Sequence, residues 1–247
     1  MIQINPGQKR RGVYCRMTAE ASAVRVRTMP RHETLLVALL LGFAGGYLDT
    51  YTWITHGVLA NAQTANLVFL WVHATAAQWE QAFHFVPPLF AFGVGVVIAA
   101  WLRRVAGASA GQLSLLIEIA MLILVGILHN RVPEVAGTLG ISMVAAMQTS
   151  IFTKVEGSTY SSVMITGNFR QAIEGAFALI AGDRQAGLLR KSCIFMAICA
   201  AFGTGAAAGA FLTERMPTLT LTVPVAALMI VLLFYAAGRP VEANEKR

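Results

Sequence analysis

Charge is scarce in this sequence. Asp, Glu, Lys and Arg together make 13% of its 247 residues, about half the roughly 25% usual for domains dissolved in water. Apolar residues make 56%, and the mean hydropathy is +0.63. That balance argues against a soluble helical protein, because segments such as Leu35 to Leu41 and Ala226 to Phe234 are apolar all round and offer water no polar face. Cysteine is equally sparse. Cys15, Cys193 and Cys199 show no CxxC spacing, so neither a disulfide framework nor a zinc site is expected and the three read as packing residues. No GxxxxGK[ST] phosphate loop occurs, and no Ser, Cys or His stands in a nucleophile and base arrangement, so the chain is expected to be neither a hydrolase nor an ATP-driven pump. His56, His73 and His84 lack the i, i+4 spacing of a helical metal pair, and no metal or cofactor is expected.

What the sequence has in quantity is long apolar runs. A bilayer core about 30 Å thick requires about 20 mostly apolar residues, and six stretches approach this: 34 to 55, 85 to 102, 112 to 128, 135 to 153, 192 to 212 and 219 to 237. Two more, 64 to 77 and 166 to 181, are apolar but short, which suits re-entrant or half-membrane helices. Counting these two as spans gives an eight-span alternative, which would put Arg103 and Arg104 outside.

The formal charge of +7 is carried mainly before and between the apolar runs. This is the signature of membrane topology rather than of a nucleic-acid partner. Residues 1–33 hold seven basic residues, Lys9, Arg10, Arg11, Arg16, Arg25, Arg27 and Arg31, against Glu20 and Glu33. They lack the apolar core of a cleavable signal peptide and read as a disordered cytoplasmic tail, with Met17 and Met29 as alternative starts. With that tail inside, Arg103 with Arg104, then Arg184, Arg190 and Lys191, then Arg239, Lys246 and Arg247 also fall inside. Six spans with both termini cytoplasmic satisfy every loop.

Landmarks recur in the same order in the two halves. Asp49-Thr50 answers Gln148-Thr149, Thr64-Ala65-Asn66 answers Thr166-Gly167-Asn168, and Gly93-Val94-Gly95 answers Gly203-Thr204-Gly205. The expected organisation is an all-α integral membrane protein with a tail over 1–33, a first repeat over 34–128, a second over 135–237 and a cytoplasmic tail over 238–247. Three spans per half would make the repeats inverted, an arrangement common among secondary transporters.

The run Gly42-Phe43-Ala44-Gly45-Gly46-Tyr47-Leu48-Asp49, the Thr64-Ala65-Asn66 triplet, and Ala146-Met147-Gln148-Thr149 followed by Ile165-Thr166-Gly167-Asn168 resemble the YoaK-type family of uncharacterised bacterial multi-pass membrane proteins. The resemblance extends over about residues 34 to 237 and implies a bacterial inner-membrane location. The family usually has Thr-Gly-Asn where this chain carries Ala65.

Asp49 is the leading functional candidate, since a carboxylate inside a span costs at least ~2.5 to 3.5 kcal/mol unless paired, protonated or facing water. With Gln148 it would suit a proton or cation site near the repeat axis. Thr64, Asn66, Thr166 and Asn168 precede their apolar runs as helix N-caps do, and Asn168 with Gln171 has capping-box spacing. As half-helix starts they would favour an anionic group. Glu118 is a second intramembrane acid and a candidate proton relay. It has no acidic counterpart in Val223-Pro224-Val225-Ala226, so it is expected either to pair with His129, Arg103 or Arg104 or to be protonated. Gly42 with Gly46, and Gly205 with Gly209, have GxxxG spacing for close helix packing. The expected partners are the lipid bilayer and a small solute or ion. The first functional expectation is a gradient-driven transporter or channel built around Asp49, Gln148 and the two Thr-x-Asn turns. The alternative is a membrane scaffold or sensor whose polar residues only hold helices together.

Overall fold

The computed structural model describes residues 28–128, 131, 133–183, 185–237 and 241–242. The basic stretch 1–27 with Cys15, His129, Arg184 and most of 238–247 lie outside the described residues. The fold is all-α with two minimal two-stranded pairings, one of them a hairpin. In chain order come β1 (Thr28–Met29), α1 (Leu35–His56), α2 (Gln63–Thr75), α3 (Trp79–His84), α4 (Val86–Ala106), α5 (Ala110–Leu128) and α6 (Glu134–Ile151). Then follow β2 (Lys154–Val155), β3 (Ser158–Thr159), α7 (Ile165–Ile180), α8 (Leu188–Arg215), α9 (Thr222–Ala236) and β4 (Val241–Glu242).

Three helical stretches are long and apolar enough to cross a membrane: Leu35–His56, Trp79–Leu128 and Leu188–Arg215. The middle one has 50 residues, which as a single rod would be about 75 Å long at ~1.5 Å per residue. It is broken instead at Gly107, whose φ of 51° ends α4 and lets α5 start in a new direction. Shorter apolar helices occupy Val135–Ile151 and Thr222–Ala236.

Side-chain and backbone contacts gather the helix ends into two sets. At one end, β1 pairs antiparallel with β4 and His32 stacks on Tyr235 with ring centroids 5.5 Å apart. Arg103 Nη1 donates to Ser150 O at 2.6 Å, Tyr235 Oη donates to Ala108 O at 3.2 Å, and Arg190 forms a two-pronged pair with Glu156 at 2.7 Å. This end therefore collects the starts of α1, α5 and α8 and the ends of α4, α6 and α9. At the other end, the His84 ring meets His56 O, and His56, Pro87, Val135 and Thr138 line one cleft. Helices α1, α4, α5, α6, α8 and α9 therefore alternate in direction.

Two helix pairs dominate the packing, α1 against α8 and α4 against α6. Each pair approaches through glycine. A Cβ on Gly46 would lie 2.1 Å from Phe202 O, one on Gly205 2.0 Å from Phe43 O, and one on Gly95 2.1 Å from Met143 O. Gly209 faces Tyr47 O, and Gly42 faces Ile198 O at an ordinary contact distance. The GxxxG faces of Gly42 and Gly46 and of Gly205 and Gly209 are thus applied to each other within one chain. Further contacts join α1 with α9 and α6 with α5, then α2 with α4 and α7 with α8. Exchanging the halves, α1 for α6, α2 for α7, α4 for α8 and α5 for α9, turns each of these pairs into another of them. The main apolar core lies where α1, α5, α6 and α9 meet, around Leu41, Leu48, Leu115, Leu122, Ile141 and Leu228.

Because the backbone of Phe43 would have to yield, Gly205→Ala should lower stability by about 1–3 kcal/mol, the usual cost of overpacking. Gly203→Ala, whose Cβ meets nothing within 4 Å, should be near neutral. Thermal unfolding of the two variants in detergent checks the contrast.

Candidate functional site

Helix α1 ends at His56 because Gly57 takes the left-handed conformation, φ 67°, and returns its N–H to Trp53 O. The chain then runs back down the side of α1. Ala60 N donates to Thr52 Oγ1 at 3.1 Å, Asn61 N to Asp49 Oδ1 at 2.7 Å, and Asn61 Nδ2 to Gly45 O at 3.1 Å. Gly45 lies about three turns, roughly 16 Å, before the end of α1. Only from this depth does α2 begin.

The second half does the same from the opposite end. After α6, the β2–β3 hairpin reverses through Glu156 and Gly157, both at positive φ, as a two-residue turn of this hand requires. Gln148 Nε2 then donates to Ser162 Oγ at 2.9 Å and reaches Leu41 O of α1 at 3.3 Å. Val163 presses on Gly45, with its Cγ1 2.6 Å from where a Cβ would be. The tips of both returning loops therefore meet α1 at Gly45.

Each loop is held by an asparagine in the helix that follows. Asn66 accepts from Leu59 N at 3.0 Å and donates to Leu59 O at 2.6 Å. Asn168 accepts from Ser161 N at 3.5 Å and donates to Ser161 O at 2.6 Å. In both cases the partner is seven residues earlier. An amide side chain is suited to this, since it offers one acceptor and a donor in one plane and can replace a missing backbone strand. Both asparagines are buried.

The sequence-derived site is only partly assembled. Asp49 and Gln148 are both buried, but each serves its own half's loop. Leu41, which Gln148 reaches, and Asp49 are about two turns apart on α1, roughly 12 Å. Thr64 and Thr166 are exposed and point away from Asn66 and Asn168. Thr50 packs its Cβ against Gly209, 3.4 Å from where a Cβ there would sit, and the buried Thr149 Oγ1 has no hydrogen-bond partner. The N-cap positions are Ala62 and Met164, with no side-chain cap hydrogen bond. The polar residues expected to cap these helices instead lie inside their first turns. No capping box forms at Asn168, because Gln171 Nε2 turns towards Thr159 O at 3.5 Å. Ala65 and Gly167 are ordinary helical positions within the same first turns, and a Cβ on Gly167 would meet nothing within 4 Å.

Glu118 is fully buried on α5, and neither carboxyl oxygen has a hydrogen-bond partner. Arg103, one expected partner, is committed to Ser150. Among the described residues no three His, Cys, Asp or Glu side chains converge on a metal position. Clefts of about 300 Å³ beside the β2–β3 hairpin and about 230 Å³ near His56 and His84 lie at opposite ends. Neither is lined by Asp49, Asn66, Gln148 or Asn168.

Sequence reasoning missed Asn61 and Ser162, the loop residues that meet Asp49 and Gln148. The available signal was the apolar composition of Val58-Leu59-Ala60-Asn61-Ala62, unusual for a loop in water. It also missed the anchor made by Tyr47 Oη, which donates to Thr220 O at 2.6 Å, with Thr220 Oγ1 2.8 Å from Tyr47 Oη and 3.1 Å from Thr213 Oγ1.

Asn66→Ala and Asn168→Ala should each destabilise the fold by about 1–3 kcal/mol, the cost of leaving buried backbone groups unpaired. Thr64→Ala and Thr166→Ala should change it little, and unfolding midpoints in detergent measure all four.

A family model described as "Protein of unknown function (DUF1275)" matches residues 37–234. No curated protein and no solved structure matches the chain.

Proposed function

The chain belongs to this family of proteins of unknown function (DUF1275), and from that premise we propose that it is a six-span inner-membrane protein of two inverted repeats that acts as a gradient-driven transporter or channel for a small solute. In this reading α1, α4, α5, α6, α8 and α9 are the spans, α2 and α7 are re-entrant half-helices, and both termini are cytoplasmic. The alternating helix directions support six spans. Arg103, Arg104, Lys154, Arg190 and Lys191 lie at the end where β1 meets β4, which supports placing that end in the cytoplasm. The exchange relation between helix pairs supports the inverted repeat. The protein acts without catalysis, and its non-protein partners are the bilayer and the solute.

The observation that carries the transport reading is the meeting of two returning loops at Gly45, each secured by an asparagine seven residues from its partner. Irregular backbone inside a membrane is tolerated where it is buried in protein or lines a water-filled path. Here the loops close the middle of the bundle. Their hydrogen bonds can be exchanged for bonds to water or solute, so displacing either loop opens the path to one side while the other stays shut. Asp49, Thr50, Asn66, Gln148, Thr149 and Asn168 would then face the opened path.

One observation favours a scaffold or sensor instead: Asp49, Asn66, Gln148 and Asn168 are buried and bonded to their own loops. Cysteine accessibility separates the two. Single cysteines placed along 46–66 and 145–168, in a variant freed of native cysteines, should react with membrane-impermeant thiol reagents at depth, the first set from outside and the second from inside. Absence of labelling at depth from either side would leave the scaffold reading.

A further inference from the structure

We propose that Glu118 is the proton-binding site of this protein, a carboxylic acid held in the core that takes up and releases a proton as the bundle opens. This rests on the transport reading and supplies its driving ion. Of the two acids inside the bundle, Asp49 has a structural use, since its carboxylate accepts the Asn61 N–H. Glu118 has none. It is 0% exposed, and both its oxygens lack partners. Buried polar groups are nearly always hydrogen-bonded, and an exception calls for an explanation in function.

The surroundings define what can bind. Ser114, one turn earlier on the same face of α5, is also 0% exposed, and its hydroxyl lacks a partner. Around them on α5 stand Leu115, Ile119, Leu122 and Val125, packed into the core shared with α1, α6 and α9. The titratable and charged groups on the helices about α5 are few, and those whose contacts are resolved have other partners. On α1, Tyr47 bonds Thr220, Asp49 holds Asn61, and Tyr51 stands edge-on to His56. On α4, Arg103 bonds Ser150 O and Arg104 is exposed. On α9, Tyr235 bonds Ala108 O, and α6 carries only Glu134, at its far start.

An ionised carboxylate here would have neither counter-charge nor a bonded hydrogen-bond donor, a setting that strongly disfavours charge. A bare metal cation is no better served, because hard cations take six or more oxygen ligands and Ser114 Oγ is the neighbouring side-chain oxygen on this face. A proton needs only the carboxyl itself, which it leaves neutral and so at ease in an apolar core. Water admitted when the loops at Gly45 part would hydrate the carboxylate, release the proton and reload it from the other side.

Infrared spectroscopy on the full chain in lipid tests this without a known solute. An Asp49→Asn background should show the carbonyl band of a protonated carboxyl at neutral pH, and the band should shift on transfer to D2O. It should vanish in Asp49→Asn/Glu118→Gln and move in frequency in Asp49→Asn/Glu118→Asp, which keeps an acid if the glutamine variant fails to fold. Absence of the band means an ionised Glu118 and overturns the proposal. So does a band unmoved by prolonged D2O, which means a sealed structural acid. The cysteine experiment reads the aqueous path independently. Labelling at depth with no exchangeable band would leave transport standing and remove the proton, whereas an exchangeable band without labelling would keep the proton site and remove the path.

Discussion

A chain that turns back into an apolar bundle must find a partner for every amide and carbonyl it carries there. In this protein that requirement is met twice, by one asparagine in each half. Asn66 and Asn168 each pair with both backbone groups of a residue seven positions earlier. Asp49 and Gln148 complete the work by receiving the loop tips at Asn61 and Ser162. The polar residues that look like a ligand site are therefore also what allows the loops to lie where they do. Any solute would compete for hydrogen bonds that already have owners.

The same economy governs helix contact. Burial of apolar surface gives helices in lipid no preference for one another over the surrounding chains, so close approach and many weak contacts must supply it. Gly46, Gly205 and Gly95 bring backbone against backbone in α1 with α8 and in α4 with α6. Helix α1 receives most of this, carrying α8 on one side, α9 and α6 on others, and both loop tips at Gly45. Its sequence is accordingly small and apolar through Gly42-Phe43-Ala44-Gly45-Gly46, with room for neighbours in place of side chains.

Much of this was legible beforehand. The apolar runs located the long helices to within a few residues, because hydropathy alone decides what stays out of water. The two short runs fell on α2 and α7, and the repeated landmarks pointed to Asn66 and Asn168. Which helix lies against which was not legible, since Gly205 carries no label naming Phe43 as its neighbour. The hairpin Lys154–Thr159 and the short helix α3 leave little trace in composition. That Thr64 and Thr166 stand outside while Asn66 and Asn168 stand inside follows from helix geometry. Residues two apart on a helix stand about 200° apart around it, so with the helices beginning at Gln63 and Ile165, an inward asparagine requires an outward threonine. Asn61 escaped because a single amide in a loop looks like any surface residue until the loop is known to be inside.

The exchange of partners between halves has a consequence for how the molecule is made. Helix α1 finds its principal neighbour in α8, and α4 finds its own in α6, so neither half can bury its glycine faces by itself. In the six-span reading, α1 would enter the bilayer long before Gly205 and Gly209 leave the ribosome. The first half would then wait there with Gly42, Gly46 and Gly95 without their partners and the loop at Asn61 lacking its counterpart. Maturation is thus a late event of the whole chain, set by arrival of its last third, and a polypeptide cut at the middle would leave two inserted but unfinished pieces.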